Sequence, residues 1–254
     1  MLTLASDFGT PYPAAMKGVI LQRTDARLVD VAHDFPRQDV RTAAFWLRET
    51  LPQFPPAVHL AVVDPGVGTD RRALVVRAGD HVLVAPDNGL VRPAARALAD
   101  GGAADVECYE YHYADDATES TTFHGRDVFA PAAAEIHERG AAALYEVDAI
   151  SRIDDAVDLA FPEPDVGDDR AWGEVLVVDD FGNAITNIPG GFLDGRDAVS
   201  VNGTRAPVEP AYANVDAGDR LVTVGSHGYA ELAANRGRGA DAFAVGVGDS
   251  VELD

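Results

Sequence analysis

Residues 57–72, AVHLAVVDPGVGTDRR, decide how the rest of the chain is read. The apolar run 57–63 breaks into a turn-rich segment, Asp64-Pro65-Gly66-Val67-Gly68-Thr69, and ends on the pair Arg71-Arg72. A short apolar run bounded by turn residues is a buried strand. Polar residues just past the carboxyl end of such a strand are where open α/β sheets hold ligands. On the N-terminal side lie a strand at 2–5, a helix at 13–22, a strand at 27–31 and a helix at 40–51. On the C-terminal side come strands at 73–78 and 81–86, then helical stretches at 91–99, 128–139 and 141–144. This is α/β alternation around a largely parallel sheet, and it assigns residues 1–150 to an N-terminal α/β domain. Residues 150–169 are rich in Pro and Asp and carry no period, so a linker is placed at 151–171. Past it, short strands at 173–178, 198–201, 220–224, 229–233 and 250–253 alternate with Gly- and Asn-rich turns. They predict a smaller β domain over 172–254.

The composition limits the function. Of 254 residues, 42 are Asp or Glu and 20 are Lys or Arg, a net charge of −22. A field of that sign repels phosphate, so a nucleic-acid partner is excluded. With 47% hydrophobic residues the chain can bury a sizeable core. No stretch approaches the roughly 18 apolar residues of a membrane span. The start, MLTLASDFGT, lacks the order of an export signal, so a cytoplasmic location is expected. Cys108 is the one cysteine, which excludes an internal disulfide and multi-cysteine metal sites. Lys17 is the only lysine among the 20 basic residues, and acids recur in pairs such as Asp115-Asp116 and Asp179-Asp180. An acidic, lysine-poor surface stays hydrated where salt screens charge, which predicts a salt-loving host. A high-GC genome would also replace Lys by Arg.

Four segments carry polar residues that a core does not need. In Ser6-Asp7-Phe8-Gly9-Thr10, Asp7 either accepts hydrogen bonds from a ribose diol or forms an Asx turn capping the next helix. Asp-Phe-Gly also occurs in protein kinases, but their Gly-rich and catalytic loops are absent. Residues 64–72 read as a loose phosphate cradle or as a turn with a surface Arg pair. In Pro86-Asp87-Asn88-Gly89, Asn-Gly is a turn signal, and the Asn88 amide is also suited to a nucleobase edge. In Thr121-Thr122-Phe123-His124-Gly125-Arg126-Asp127, His124 stands at a helix entrance, where a histidine is more exposed than in a core.

Together with Asp-x-Phe-Gly-Asn-x-x-Thr-Asn at 179–187, these motifs occur in the order found in the S-adenosyl-L-methionine hydroxide adenosyltransferases, and the chain resembles that family over most of its length. The resemblance implies an N-terminal α/β domain, a C-terminal β-barrel-like domain and a homotrimer with sites between subunits. It implies adenosine-forming hydrolysis of S-adenosylmethionine, with no cofactor and no metal. The family's polar triad falls on Asp64, Arg71 and His124. By the same carry-over Asp7 holds the ribose hydroxyls, Asp179 and Asn183 hold the amino-acid and adenosine parts, and Phe181 packs on the ligand. Ser226, Glu231 and Asn235 complete the site, and Asp180 rivals Asp179.

The residue types fit that chemistry. The leaving group is a sulfonium that departs as a neutral thioether, so no acid is needed and the nucleophile is the difficulty. Water must lose a proton or be held in line. Arg71 favours hydroxide, His124 is the expected proton acceptor and Asp64 orients it or offsets the arginine charge, while a triad that only orients water would use the same residues. A related halogenase is the alternative, but a carboxylate at Asp64 repels halide. A metallohydrolase using Asp7, Asp64 and His124 and a non-catalytic adenosine or S-adenosylmethionine sensor are the remaining readings.

Overall fold

A computed structural model describes residues 1–99, 106–114 and 120–254, so the pair Asp115-Asp116 lies outside the described residues. The chain divides into two compact units, Met1–Ala160 and Phe161–Asp254. Among the described residues no helix is long and apolar enough to cross a membrane.

The strands of the first unit are β1 (Leu2–Ser6), β2 (Leu28–Ala32), β3 (Val58–Val62), β4 (Ala73–Ala78), β5 (His81–Pro86), β6 (Val106–Tyr111) and β7 (Ile150–Ile153). They form one sheet in the order β2-β1-β3-β5-β4-β6-β7. The pairings from β2 through β1 and β3 to β5 are parallel. Those joining β4 to β5 and β6, and β6 to β7, are antiparallel. The sheet is therefore α/β and mixed, because Gly79-Asp80 is too short for a crossover and returns β4 directly into β5. Gly79 has φ +59°, which that hairpin turn requires.

Four helices, α1 (Tyr12–Leu21), α2 (Val40–Thr50), α3 (Arg92–Leu98) and α4 (Ala130–Arg139), cover the sheet. Asp39 caps α2, its Oδ1 accepting from the Thr42 N–H at 2.9 Å. The α1 and α4 side of the core buries Leu4, Met16, Ile20, Leu60, Phe129 and Ile136.

The stretch read as a linker carries strand at both ends. Residues 151–153 belong to β7, and β8 (Asp165–Val166) pairs with β9 (Ala171–Val178). Residues 154–160 are held to the first unit by ion pairs of Asp155 with Arg72 at 2.7 Å and of Asp158 with Arg96 at 2.7 Å.

In the second unit β10 (Ala184–Pro189), β11 (Ala198–Val201), β12 (Thr204–Pro207), β13 (Arg220–Val224), β14 (Tyr229–Ala234) and β15 (Ser250–Leu253) join β8 and β9, and α5 (Gly239–Phe243) packs against β14. The order β12-β11-β15-β9-β10-β14-β13 is antiparallel throughout. Val208 then bridges to Val222, and the Glu209 N–H donates to the Val222 carbonyl at 3.0 Å. The last strand of the order is thereby brought back toward the first, giving a nearly closed barrel. Val175, Ile188, Val222, Leu232 and Leu253 fill it.

Candidate active site

The loop after β3 carries Asp64, the residue before Arg72 and β4 is Arg71, and His124 stands at the head of a π-helical turn, Gly125–Phe129, that runs into α4. Three separate elements thus deliver one hydrogen-bonded chain. Arg71 Nε donates to Asp64 Oδ1 at 3.1 Å and Oδ2 at 3.0 Å, and Nη2 donates to Oδ2 at 2.5 Å. Nη2 also contacts His124 Nδ1 at 3.0 Å. The side chains of Asp64 and Arg71 are only 4% and 10% exposed, and the guanidinium lies over the Phe129 ring at 4.7 Å. Among the described residues, Arg71 Nη1 is the one buried side-chain polar atom without a hydrogen-bond partner.

A guanidinium only donates, so the contact at His124 fixes the imidazole: Nδ1 accepts, and the ring is neutral with its proton on Nε2. Burial holds the His124 pKa below its ordinary value, and the nearby Arg71 charge lowers it further. His124 is buried, not an exposed helix-entrance residue, and Tyr113 meets its ring edge-on at 6.1 Å. Of the two roles the sequence left open for His124, proton acceptor or water-orienting group, this geometry favours the second. Nδ1 is occupied by Arg71 and Nε2 already carries hydrogen.

The loop itself is no phosphate cradle. The Val67 N–H is spent on the Asp64 carbonyl and the Thr69 N–H on the Gly66 carbonyl. Gly68, at φ +78°, lies so close to the Thr121 carbonyl that a Cβ would sit 2.8 Å from it, which ties the Asp64 loop to the His124 loop. Asp7 does not cap α1, whose N-cap is Pro11 without a side-chain bond. It is buried, and Oδ2 accepts from the Gln38 N–H at 2.7 Å. Phe8, Tyr12 and Phe123 form an edge-on cluster, with centroids 5.4–6.5 Å apart.

In the second unit the turn between β9 and β10 supplies another chain. Asp179 Oδ1 accepts from the Asn183 N–H at 2.8 Å, and Asn183 Nδ2 donates to Asp179 Oδ2 at 3.2 Å and to Tyr212 Oη at 3.4 Å. Tyr212 in turn donates to Glu231 Oε1 at 2.7 Å. Glu231, on β14, is buried, and that burial raises its pKa, with Asp179 adding to the effect. Phe181, at the tip of the turn, is 81% exposed.

Residues 2–146 match the SAM hydroxide adenosyltransferase N-terminal domain and residues 173–252 the C-terminal domain of the same name, SAM being S-adenosyl-L-methionine. The chain belongs to the SAM hydroxide adenosyltransferase family. It is 39% identical to the (R)-S-adenosyl-L-methionine hydrolase of Salinispora tropica, with 99% of this chain and 97% of that one covered. It is 38% identical to the protein of that name in Thermus thermophilus, over 98% and 97% of the two chains. A fluorinase of Actinopolyspora mzabensis is more distant, at 27% identity over 92% and 90%. The crystal structure of a conserved protein from Thermotoga maritima superposes with a TM-score of 0.84 at 35% identity, covering 100% and 99%.

Within this member of the family the motif residues divide by what they touch. Asp64, Arg71 and His124 come together, and so do Asp179, Asn183 and Glu231. Asp179, not the exposed Asp180, enters the second chain. Asn88 is part of the framework: its Nδ2 donates to the Val63 carbonyl at 2.9 Å and its Oδ1 accepts from the Leu90 N–H at 3.1 Å. Its amide thereby pins the chain just past the carboxyl end of β3. Asn235 Nδ2 likewise donates to the Val215 carbonyl at 2.7 Å. Ser226 is exposed in the turn between β13 and β14. Among the described residues no three His, Cys, Asp or Glu side chains gather as metal ligands, and both Asp64 oxygens are taken by Arg71. Tyr212 escaped the sequence reading, since it lies in a single turn, Tyr212–Asn214, with no motif around it.

Proposed function

We propose that the protein hydrolyses SAM by attack of water or hydroxide at C5′, giving adenosine and L-methionine. The observation that carries this reading is the buried Asp64–Arg71–His124 chain in a family whose similar members bear the hydrolase name. The C5′–S bond breaks as the C5′–O bond forms, and the sulfonium takes the bonding pair to become a neutral thioether. No protonated leaving group and no cofactor are required. What remains is to hold an oxygen nucleophile and favour its deprotonated form.

In this mechanism the triad does not contain a base. The His124 Nε2–H orients the water as a donor, and the Arg71 charge favours hydroxide over water near the site, the proton going to solvent. Asp64 fixes the guanidinium plane through its two-oxygen contact. Asp7, Asp179, Asn183, Ser226 and Glu231 hold the substrate, and Phe181 packs on it. The same reading takes the enzyme as a cytoplasmic homotrimer with each site shared between subunits, and the exposed Phe181 ring supports a surface that is covered in use. The halogenase alternative is weakened by the comparisons, the fluorinase standing at 27% identity against 38–39% for the hydrolases.

Turnover of SAM in 18O-labelled water, with product analysis, tests the proposal. Adenosine labelled at its 5′-hydroxyl, with methionine, is expected. In the presence of chloride, 5′-chloro-5′-deoxyadenosine would identify a halogenase, and unchanged SAM a sensor.

A further inference from the structure

The chain of polar groups in the second unit has a middle member whose role follows from counting protons. Asp179 accepts from the Asn183 backbone N–H on one oxygen and from its side-chain nitrogen on the other, so the amide turns its nitrogen toward the carboxyl group. One amide hydrogen then goes to Asp179 Oδ2 and the other points at Tyr212 Oη. Tyr212 has a single hydroxyl proton, and it goes to Glu231 Oε1 at 2.7 Å. Each proton has one destination. The direction runs from Asn183 through Tyr212 to Glu231, and the Asn183 Oδ1 is left as an acceptor. Glycine at 225 leaves room for this carboxylate, since a Cβ there would stand 2.5 Å from Glu231 Oε2.

We propose that Tyr212 is a positioning residue that locks the Asn183 amide, with its oxygen outward, so that the second unit selects a nucleobase whose exocyclic group is a hydrogen-bond donor, a 6-aminopurine over a 6-oxopurine. This rests on the reading above that Asn183 faces the adenosine part of SAM. Without the Tyr212 hydroxyl one amide hydrogen is released and the Asn183 side chain can rotate, offering Nδ2 to a 6-oxo group. Discrimination then falls, although no atom that touches the ligand has been removed.

Binding of adenosine and inosine to wild type, Tyr212→Phe and Tyr212→Phe/Glu231→Gln tests this by calorimetry. The double variant avoids leaving a buried unpaired carboxylate, and melting curves confirm that both variants are folded. The wild type should prefer adenosine, and the preference should drop about 3- to 10-fold in both variants, the size of one net hydrogen bond. KM for SAM should rise by a similar factor, with kcat falling far less. A structural role alone would weaken both nucleosides equally, and an unchanged adenosine-to-inosine ratio would overturn the assignment of Tyr212. Wild-type protein indifferent to the two nucleosides would instead overturn the placement of Asn183 on the base, a separate failure.

Discussion

Arg71 has five N–H donors and nothing to accept with, so it dictates the state of both neighbours. Arg71→Lys should lower kcat by about 100-fold or more, because an ammonium cannot serve Asp64 bidentately and reach His124 in the same plane. Two substitutions at His124 separate a donor from a base. His124→Gln keeps an N–H for water and an oxygen for Arg71, and should retain most of kcat. His124→Ala should lose on the order of 10²-fold. If Gln proves as damaging as Ala, His124 is a base after all. The pH dependence follows from the lowered His124 pKa. Protonation at Nδ1 would set imidazolium against guanidinium and break their contact. The part of the acid limb that belongs to His124 should therefore lie below the usual imidazole value of about 6.5. A limb above that value that disappears in His124→Gln would contradict the assignment. Asp7→Ala, by contrast, should raise the adenosine dissociation constant by about 1.5–3 kcal/mol with a smaller effect on kcat, as calorimetry and kinetics together would show.

At the scale of elements, two loops and three strands carry the argument. Gly68 sits where the Asp64 loop meets the Thr121 carbonyl, so Gly68→Ala should cost about 1–3 kcal/mol and spread the triad, lowering melting temperature and kcat together. Across β1, β3 and β5, Thr3 bonds His59 at 2.8 Å and His59 bonds His81 at 2.8 Å. Burial, with His81 second, pushes the His59 pKa down to about 3. The unfolded chain then binds the extra proton at pH values between about 3 and its own value of about 6.5. Stability rises with pH through that window and is lost as pH falls through it. Urea midpoints for the wild type should decline from pH 7 to pH 4, and His59→Gln should flatten the decline. Strands with flanking turns, such as 73–78 and 220–224, were legible in the sequence, because an apolar run between breakers states its own ends. β6 was not, since Val106-Glu107-Cys108-Tyr109-Glu110-Tyr111 mixes charge into a half-buried strand. β10 was hidden inside a motif read for its ligand contacts. The meeting of Asp64, Arg71 and His124 was expected from the resemblance to the family, but the tautomer that the His124 contact favours was not, because it depends on which group Arg71 meets in space. Tyr212 had no local signal at all, its partners lying just before β10 and within β14.

Over the whole molecule, −22 charges must be carried by one chain of 254 residues. Lowering salt from 1 M to 0.1 M lengthens screening from roughly 3 Å to 10 Å and lets those charges repel. Melting temperature, activity and the light-scattering mass of the proposed trimer should all fall below roughly 0.5–1 M salt. Unchanged values in dilute buffer would assign the acidic bias to something other than salt adaptation. The barrel of the second unit has a different consequence, one of timing. β15 is inserted between β9 and β11, with Leu253 opposite Ala171 on one side and Val201 on the other. The seam joining β11 and β12 to the remaining strands along that edge is therefore made by residues 250–253, which leave the ribosome after every other strand of the unit. Until they emerge, β9 shows an unpaired edge to the cell, and the unit's most sequence-distant contacts are also its latest. A nascent chain arrested at residue 249 should be a substrate for chaperones and proteases in its second half, while the parallel strands of its first half are already paired.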